Sequence, residues 1–523
     1  MSKQYDVIVI GAGNGGLAAA VTCAKAGLST LLLEWHNIPG GSASSFVRGR
    51  FEFEPSLHEL AGIGSPEQPG SIEEQFNRFG AKVEWIKENS TYRFIVPAKE
   101  GDKDAYLNEN GVLVQTDARM PVGEEAFARK LDELVPGSYE SAMKAFDLAD
   151  RMFDAFDRID MDKEMSPAER LKVAPFLPDF MRMTSHTVKQ TLTALGMPEK
   201  AQGIFTTYWG YMGVPNSRFD FLYYMAMMQS YILNGAGMPR HRSHEMSLAI
   251  DKSIRDNGGE IWYNSEVTRI LMQNGKPAGV VINGDKKVYG KRFICNGFPN
   301  FVWNDLFDRR EVPKIQKQMA NAREIAATLT TVYLGINKSK DELGIKDYSI
   351  FIAPDIDSDK QAALCDDFGS GFCVINCLNE AIPDCSPEST CMLFLTAMTF
   401  GDVMKDVKPQ DYKKLKTKVA KDMIETCERA LGISIQPYIE EIEVALPPTF
   451  SRYLNTPQGT PYGYKLDMWD SMIPRTIQFA GDQPFDNFLF CGATQERGDG
   501  YGCAYYTGEK AGKLTVKALK EGK

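Results

Sequence analysis

Long apolar runs are missing from this chain: no stretch of roughly eighteen residues could form a membrane-spanning helix. Positive charge is not in surplus either. The 59 Lys and Arg residues against 69 Asp and Glu leave a net charge of −10. No basic stripe is available to neutralise phosphates, which argues against a nucleic-acid partner and against simple electrostatic docking on an anionic membrane. Hydrophobic docking stays open. Histidine is scarce, with five in 523 residues, so few side chains can titrate near neutrality. Cys373, Cys377, Cys385 and Cys391 cluster, but without a CxxC pair or a nearby histidine. They read as buried strand thiols, and no metal site is expected. No basic leader with a cleavage site precedes the first strand, so the ten cysteines point to a reducing, cytoplasmic compartment.

What is present begins at once. The apolar run Tyr5-Asp6-Val7-Ile8-Val9-Ile10 enters Gly11-Ala12-Gly13-Asn14-Gly15-Gly16, and Leu17 to Ala26 follows with helical character. This is the strand–turn–helix of a dinucleotide site. Gly11 permits the tight turn, Gly13 lets backbone approach a pyrophosphate, and Gly16 lets helix and strand pack closely. The helix N-terminus offers unpaired N–H groups to phosphates. A second strand, Ser29 to Leu33, ends at Glu34, whose carboxylate suits the ribose hydroxyls of an adenosine.

Regular βα units do not continue. A loop with paired glycines, Pro39-Gly40-Gly41-Ser42-Ala43, leads to the short alternating stretch from Arg50 and then to Ser56-Leu57-His58. That favours a flavin protein over a simple nicotinamide dehydrogenase. From about 75 to 234 the character changes, with helical spacing over Ser138 to Phe156 and Ala168 to Leu195. Phe205 to Met238 is rich in Met, Tyr and Phe, which suits core helices and an adaptable substrate wall equally. Nucleotide-domain character returns with a helix from Met246, strands at Glu260 to Tyr263 and Ser265 to Leu271, and hairpin turns at Asn274-Gly275 and Asn283-Gly284. Residues 300 to 450 alternate strands with helices, which suggests a sheet covered on one face. The strand Asn487 to Cys491 then runs through Gly492-Ala493-Thr494 to Gly498-Asp499-Gly500-Tyr501-Gly502 and a last helix.

Three blocks together resemble the FAD-dependent family of phytoene desaturases, carotenoid isomerases and retinol saturases, within the amine-oxidase-like flavoproteins. They are Val9 to Leu17 with Glu34 and Pro39 to Ala43, Gly258-Gly259-Glu260 through Glu266-Val267 to Cys295-Asn296-Gly297-Phe298-Pro299, and Cys491-Gly492-Ala493 with Gly498 to Gly502. The resemblance implies an α/β fold with α+β substrate part: a discontinuous Rossmann-type FAD-binding domain (1–75, 235–300 and 455–523) and an inserted mixed-sheet and helical substrate domain (76–234 and 301–454). It implies noncovalent FAD, since Cys503 lacks the context of a flavin link. Gly11, Gly13 and Gly16 would hold the pyrophosphate and Glu34 the ribose. Gly40, Gly41 and Ser42 would run toward the flavin, and Val267 would offer its backbone to the adenine. Gly492 would sit by the pyrophosphate and ribityl chain. The helix starting near Tyr501-Gly502 would point its N-terminus at the flavin, where it favours negative charge on the reduced ring.

Two departures stand out. Ser56-Leu57-His58 replaces the glycine-proline pair of many members, and Ala493-Thr494 replaces an acidic contact, with Thr494 or Glu496 as substitutes. His58 becomes the first acid/base candidate, against a purely structural loop histidine. Tyr501 becomes a catalytic-face aromatic, against simple helix packing. The implied activity is hydride transfer at carbon–carbon bonds of a small apolar, polyene-like substrate. Redox-neutral isomerisation by reduced FAD and amine oxidation remain alternatives, and a flavin-free binding protein of the GDP-dissociation-inhibitor type is disfavoured by the intact glycines. Peripheral membrane contact is suggested by Phe176 to Met183, which mixes apolar and basic residues, although core packing explains it too.

Overall fold

The computed structural model describes residues 4–64, 69–158, 172, 175, 185–471, 474–475 and 484–522. Its first strand, Gln4–Ile10, has no exposed side beyond its start, which is why its sequence is a continuous apolar run. It pairs in parallel with Thr30–Leu33 on one side and Lys286–Cys295 on the other. Glu260–Trp262 extends the parallel sheet beyond Thr30–Leu33, and Phe488–Phe490 joins against Cys295. Three distant stretches of chain therefore share one sheet. The hairpin Val267–Gln273 and Lys276–Ile282 completes it, turning on Asn274 and Gly275 at φ 53° and 76°.

The register matters for the site. Ile10 is level with Leu33 and Cys295, Leu33 with Trp262, and Cys295 with Phe490. All five parallel strands thus end on one line, the edge at which open α/β sheets bind ligands. The helices Asn14–Lys25 and Tyr501–Lys520 lie against each other at backbone distance. A Cβ on Gly508 would collide with the Gly15 carbonyl, and one on Gly512 would stand 2.8 Å from Thr22 Cβ. Only small residues permit that crossing.

A second sheet has eight strands, ordered Ile439–Ala445, Thr328–Ile336, Cys391–Thr399, Cys373–Cys377, Ser349–Ile352, Ser90–Pro97, Leu113–Pro121 and Tyr106–Leu107. It draws on both stretches that lie outside the first sheet. Helix Tyr412–Leu431 covers one face, setting Val419, Met423, Ile424 and Cys427 against Val332, Leu334, Ile375 and Leu393. The opposite face presents Tyr333, Phe351 and Phe394 to the other core, where Phe351 packs on Tyr208 and Tyr211 and Tyr92 packs on Phe127 of the helix Glu124–Leu134. The sheet is therefore covered on both faces and not on one as expected.

Some sequence readings are revised. Of the helical run expected over Ala168 to Leu195, residues 168–171, 173–174 and 176–184 lie outside the described residues; Ser185 to Thr187 are not helical, and Thr187 caps the helix Val188–Ala194 through a reciprocal pair with Gln190. Phe176 to Met183 lies outside the described residues. The helix expected from Met246 starts at Arg242, which is buried at φ 67° and donates to the carbonyls of Glu52 and Cys385. Cys373, Cys377 and Cys391 are buried strand thiols, while Cys385 is half-buried in a loop. Among the described residues no helix is long and apolar enough to cross a membrane, and no group of three or more His, Cys, Asp or Glu is placed to hold a metal ion.

Candidate functional site

A cavity of about 1000 Å³ opens along the line where the parallel strands end. Gly11, Gly13, Glu34, Gly40, Gly41, Ser42, His58, Val267, Gly492, Tyr501 and Gly502 all line it; Gly16 does not. A Cβ on Gly16 would strike the Gly11 carbonyl, so this glycine serves helix–strand contact and not ligand contact.

Two helix N-termini meet the cavity, those of Asn14–Lys25 and Tyr501–Lys520. Each starts from a glycine, carries no side-chain cap and has no acidic residue in its first turn. Side-chain caps do occur in this chain, at Thr187, Asp220, Ser339 and Asp357, although other helices also start without one. Unpaired N–H groups and partial positive charge are left for an anion at both places. Between them the backbone is crowded. Gly40 (φ 116°) donates its N–H to the Ala12 carbonyl at 2.8 Å, and a Cβ on Gly15 would stand 2.7 Å from the Gly492 nitrogen. Thr507 clasps Gly492 from the last helix, accepting its N–H at 3.0 Å.

Glu34 is buried, accepting the N–H of Ala12 at 2.6 Å and of His36 at 2.8 Å. Its oxygens retain lone pairs toward the cavity, so it both ties down the glycine turn and offers acceptors. Val267 stands farther along the same wall with Ser265, Glu266 and Thr268. A cradle that excludes side chains, two open helix ends, a carboxylate at the second strand's end and the orphaned buried Asn14 Oδ1 fit an extended dinucleotide such as FAD.

His58 faces the cavity from the loop after Phe51–Phe53. That loop is organised by buried Glu54, which accepts the N–H groups of Ser56, Leu57 and Ser243 and the Ser243 hydroxyl. Burial pushes the Glu54 carboxyl up to about 7 despite those donors. The His58 ring reaches Thr396 Oγ1 at 3.0 Å and packs 5.5 Å from the Tyr211 ring, while Tyr348 donates to its carbonyl. The near-neutral titration expected of His58 is not what its surroundings give: desolvation lowers it to about 4, so the imidazole is neutral at pH 7.

Tyr501 is tied up. Its hydroxyl donates to the Ser42 carbonyl at 3.0 Å and lies 2.8 Å from Ser56 Oγ. It joins the last helix to the paired-glycine loop, and burial holds the phenol well above its usual range. Of the two substitutes proposed for the missing acidic contact, Thr494 lines the cavity; Glu496 does not, and instead pairs with Lys510 at 3.2 Å.

Several cavity residues were not singled out from sequence. Asn296 follows the third parallel strand and sits over the glycine turn, where a Cβ on Gly13 or Gly492 would collide with its amide. Its position at a strand end was the available signal. Glu59 and Tyr211 lie on the opposite wall, with the Tyr211 hydroxyl donating to Glu59 at 2.7 Å. On helix Phe221–Asn234 the lining residues Tyr223, Ala226, Met227, Ser230 and Tyr231 form one helical face, while Tyr224, Met225 and Met228 are core. The Met- and aromatic-rich segment therefore serves as both core and cavity wall.

Comparison with known proteins agrees with this geometry. A family described as FAD dependent oxidoreductase matches residues 6–85. The chain is 24% identical to a chloroplastic prolycopene isomerase of Daucus carota, over 88% of this chain and 74% of that protein. It is 23% identical to an all-trans-retinol 13,14-reductase of Danio rerio, over 90% of this chain and 79% of that protein. Among solved structures, cyclohexylamine oxidase from Brevibacterium oxydans superposes with a TM-score of 0.62 at 15% identity, covering 99% of this chain and 100% of that one, which establishes a shared fold. The resemblance read from the three glycine-rich blocks is borne out, and at family level the comparisons support an FAD-dependent oxidoreductase.

Proposed function

We propose that this chain binds FAD noncovalently and moves a hydride between the cofactor and a carbon–carbon bond of an apolar, unsaturated substrate. The observation that carries the reading is the reach of the likeness to proteins named for polyene isomerisation and retinol reduction. It runs through some nine-tenths of the chain, cavity wall as well as glycine turn. Noncovalent binding is supported by Cys503: burial pushes its thiol up to about 11, so it stays protonated and a poor nucleophile.

In this reading residues 1–75, 235–300 and 455–523 hold the cofactor, and 76–234 and 301–454 build the substrate side. Gly11, Gly13 and the first helix's N-terminus take the pyrophosphate, and Gly41, Ser42, Gly492 and Gly502 follow the cofactor to the flavin. Bound FAD supplies two-electron hydride chemistry. The chain's own residues do the rest. The last helix's N-terminus stabilises negative charge on the reduced ring. Met212, Met227 and Leu329 exclude water from the substrate side. Neutral His58, held by Thr396, positions the substrate instead of storing a proton. The substrate is a small apolar molecule in a cytoplasmic protein, met in solution or at a membrane surface; the acidic net charge speaks against nucleic acid.

Two other readings have specific support. Redox-neutral isomerisation is favoured by the name of the carrot relative. Amine oxidation is favoured by a tyrosine-lined wall containing Glu59, which suits a cation. Anaerobic flavin spectroscopy separates them: polyenes or unsaturated lipids should bleach or reoxidise bound FAD, while amines should not. Reduction by amines alone would replace the proposal.

A further inference from the structure

Behind His58 the cavity wall holds two carboxyl groups with almost no one to share them. Glu59 and Glu88 are 4% and 7% exposed. Glu59 accepts the Tyr211 hydroxyl through one oxygen, and the Tyr231 hydroxyl reaches its backbone carbonyl. Its other oxygen, and both oxygens of Glu88, are buried without a hydrogen-bond partner. The two carboxyl groups lie close enough for each to act on the other's proton, with the Ser349 and Tyr208 hydroxyls also near Glu59. The surrounding groups are Tyr208 and Tyr211, Tyr231 on its helix, Tyr348 and Ser349 from the second sheet, with His58 and Glu54 nearby. Among the described residues no Lys or Arg forms an ion pair with either acid.

Elementary electrostatics limits what such a pair can do. A buried carboxylate without a cation is expensive, and two in contact are prohibitive, so the pair keeps at least one proton. Burial and the neighbouring acid both act in that direction on Glu88, and burial raises Glu59 as well. Glu59 reaches the cavity and Glu88 does not. One carboxyl therefore exchanges protons with the cavity through Tyr211, and the other sets its affinity.

We propose that Glu59 and Glu88 form the proton store of this site, cycling between one and two protons, with Tyr211 relaying the exchange to the substrate. This rests on the carbon–carbon reading above. In desaturation, where FAD would accept the hydride from one carbon, the adjacent carbon gives its proton to the Tyr211 oxygen as the phenol proton passes to Glu59. The electron pair left by that proton becomes the new π bond, and the pair ends with two protons. In saturation, where reduced FAD would supply the hydride to one carbon, the π electrons take the Tyr211 proton at the other and Glu59 reprotonates Tyr211. Glu88 is a positioning residue, since it acts only through Glu59.

The test uses the full-length, FAD-loaded protein. Infrared difference spectra should contain a protonated-carboxyl C=O band at neutral pH that shifts in D2O. In E88Q the midpoint at which the site loses its last exchangeable carboxyl proton should fall by about one pH unit or more, because Glu88, which keeps that proton beside the Glu59 carboxylate, is gone. In Y211F the band should persist while substrate-driven flavin reduction slows by about 100-fold. These spectra need no substrate, so failure of every polyene would defeat the carbon–carbon reading and leave the carboxyl result standing. Absence of the band in the wild type, an unmoved midpoint in E88Q, or an unchanged reduction rate in Y211F overturns the proposal. Should E88Q not fold, Glu88→Asp serves, with a displaced midpoint expected.

Discussion

Gly492 crosses Gly15 at a distance that leaves no room for a side chain: a Cβ on Gly15 would stand 2.7 Å from the Gly492 nitrogen and 2.9 Å from its Cα. The C-terminal strand end thus closes over the start of the first helix by backbone contact alone. Gly15→Ala should force those backbones apart and yield protein with flavin affinity lowered tenfold or more, about 1.4 kcal/mol. Gly27→Ala is the control: its φ of 79° strains an alanine, but nothing lies within 4 Å of the added Cβ. Flavin absorbance per protein, measured across added FAD, checks both; equal occupancy in the two variants would refute the cradle.

Glu34 should matter twice over. Glu34→Ala removes the acceptor for the Ala12 and His36 amides, leaving two N–H groups unmet, and costs about 1–3 kcal/mol of stability. Glu34→Gln keeps one acceptor oxygen and should lose less stability while still weakening FAD. Thermal unfolding with and without FAD resolves the two contributions.

Tyr501→Phe discriminates a tie from an acid. The phenol spans Ser42 and Ser56, so its loss should cost about 1 kcal/mol and leave flavin reduction within tenfold of wild type. A fall of 100-fold or more at unchanged FAD occupancy would make Tyr501 a proton-transfer group instead.

His58 gives a pH signature. Folded, it protonates near pH 4; unfolded, near 6.5. Between those values the unfolded chain binds more protons, so stability is complete above about pH 6.5 and declines toward pH 4. The loss reaches at most about 3 kcal/mol, and less where the ring opens on the cavity. Denaturation midpoints of wild type and His58→Phe across that window should converge as pH falls. Parallel curves would place the histidine in an ordinary aqueous setting.

Asp470 holds two guanidinium groups, accepting from half-buried Arg323 at 2.8 Å and from buried Arg475 at 3.1 Å. Asp470→Ala strands both and should destabilise by about 3–5 kcal/mol. A loss under 1 kcal/mol in urea unfolding would show that water reaches them.

The cofactor side was legible because backbone geometry dictates residue type there. Gly11, Gly40 and Gly492 adopt positive φ, and Gly13 and Gly16 sit where any Cβ collides, so the chemistry is written in local sequence. Asn274-Gly275 was legible for the same reason. The substrate side was not. Glu59 meets Glu88 and Tyr211, and His58 meets Thr396, across separations that no local pattern encodes. Asn296 shows the boundary between the two cases: its strand could be read, but its seat over Gly13 depends on the pairing of Gln4–Ile10 with Lys286–Cys295. The inward face of Phe221–Asn234 was likewise hidden, since Tyr and Met suit core and cavity alike.

The closing of the first sheet by Phe488–Phe490, and of the first helix by Gly508 and Gly512, has a consequence for synthesis on the ribosome. The glycine turn is made roughly 470 residues before the strand and helix that close over it, about 25 to 95 seconds of synthesis at ordinary elongation rates. Through that interval the nascent Asn14–Lys25 helix exposes the small-residue groove meant for its partner. The cradle therefore cannot close until Tyr501–Lys520 has emerged, and chaperone protection of the early βαβ unit is the expected demand this topology makes on the cell.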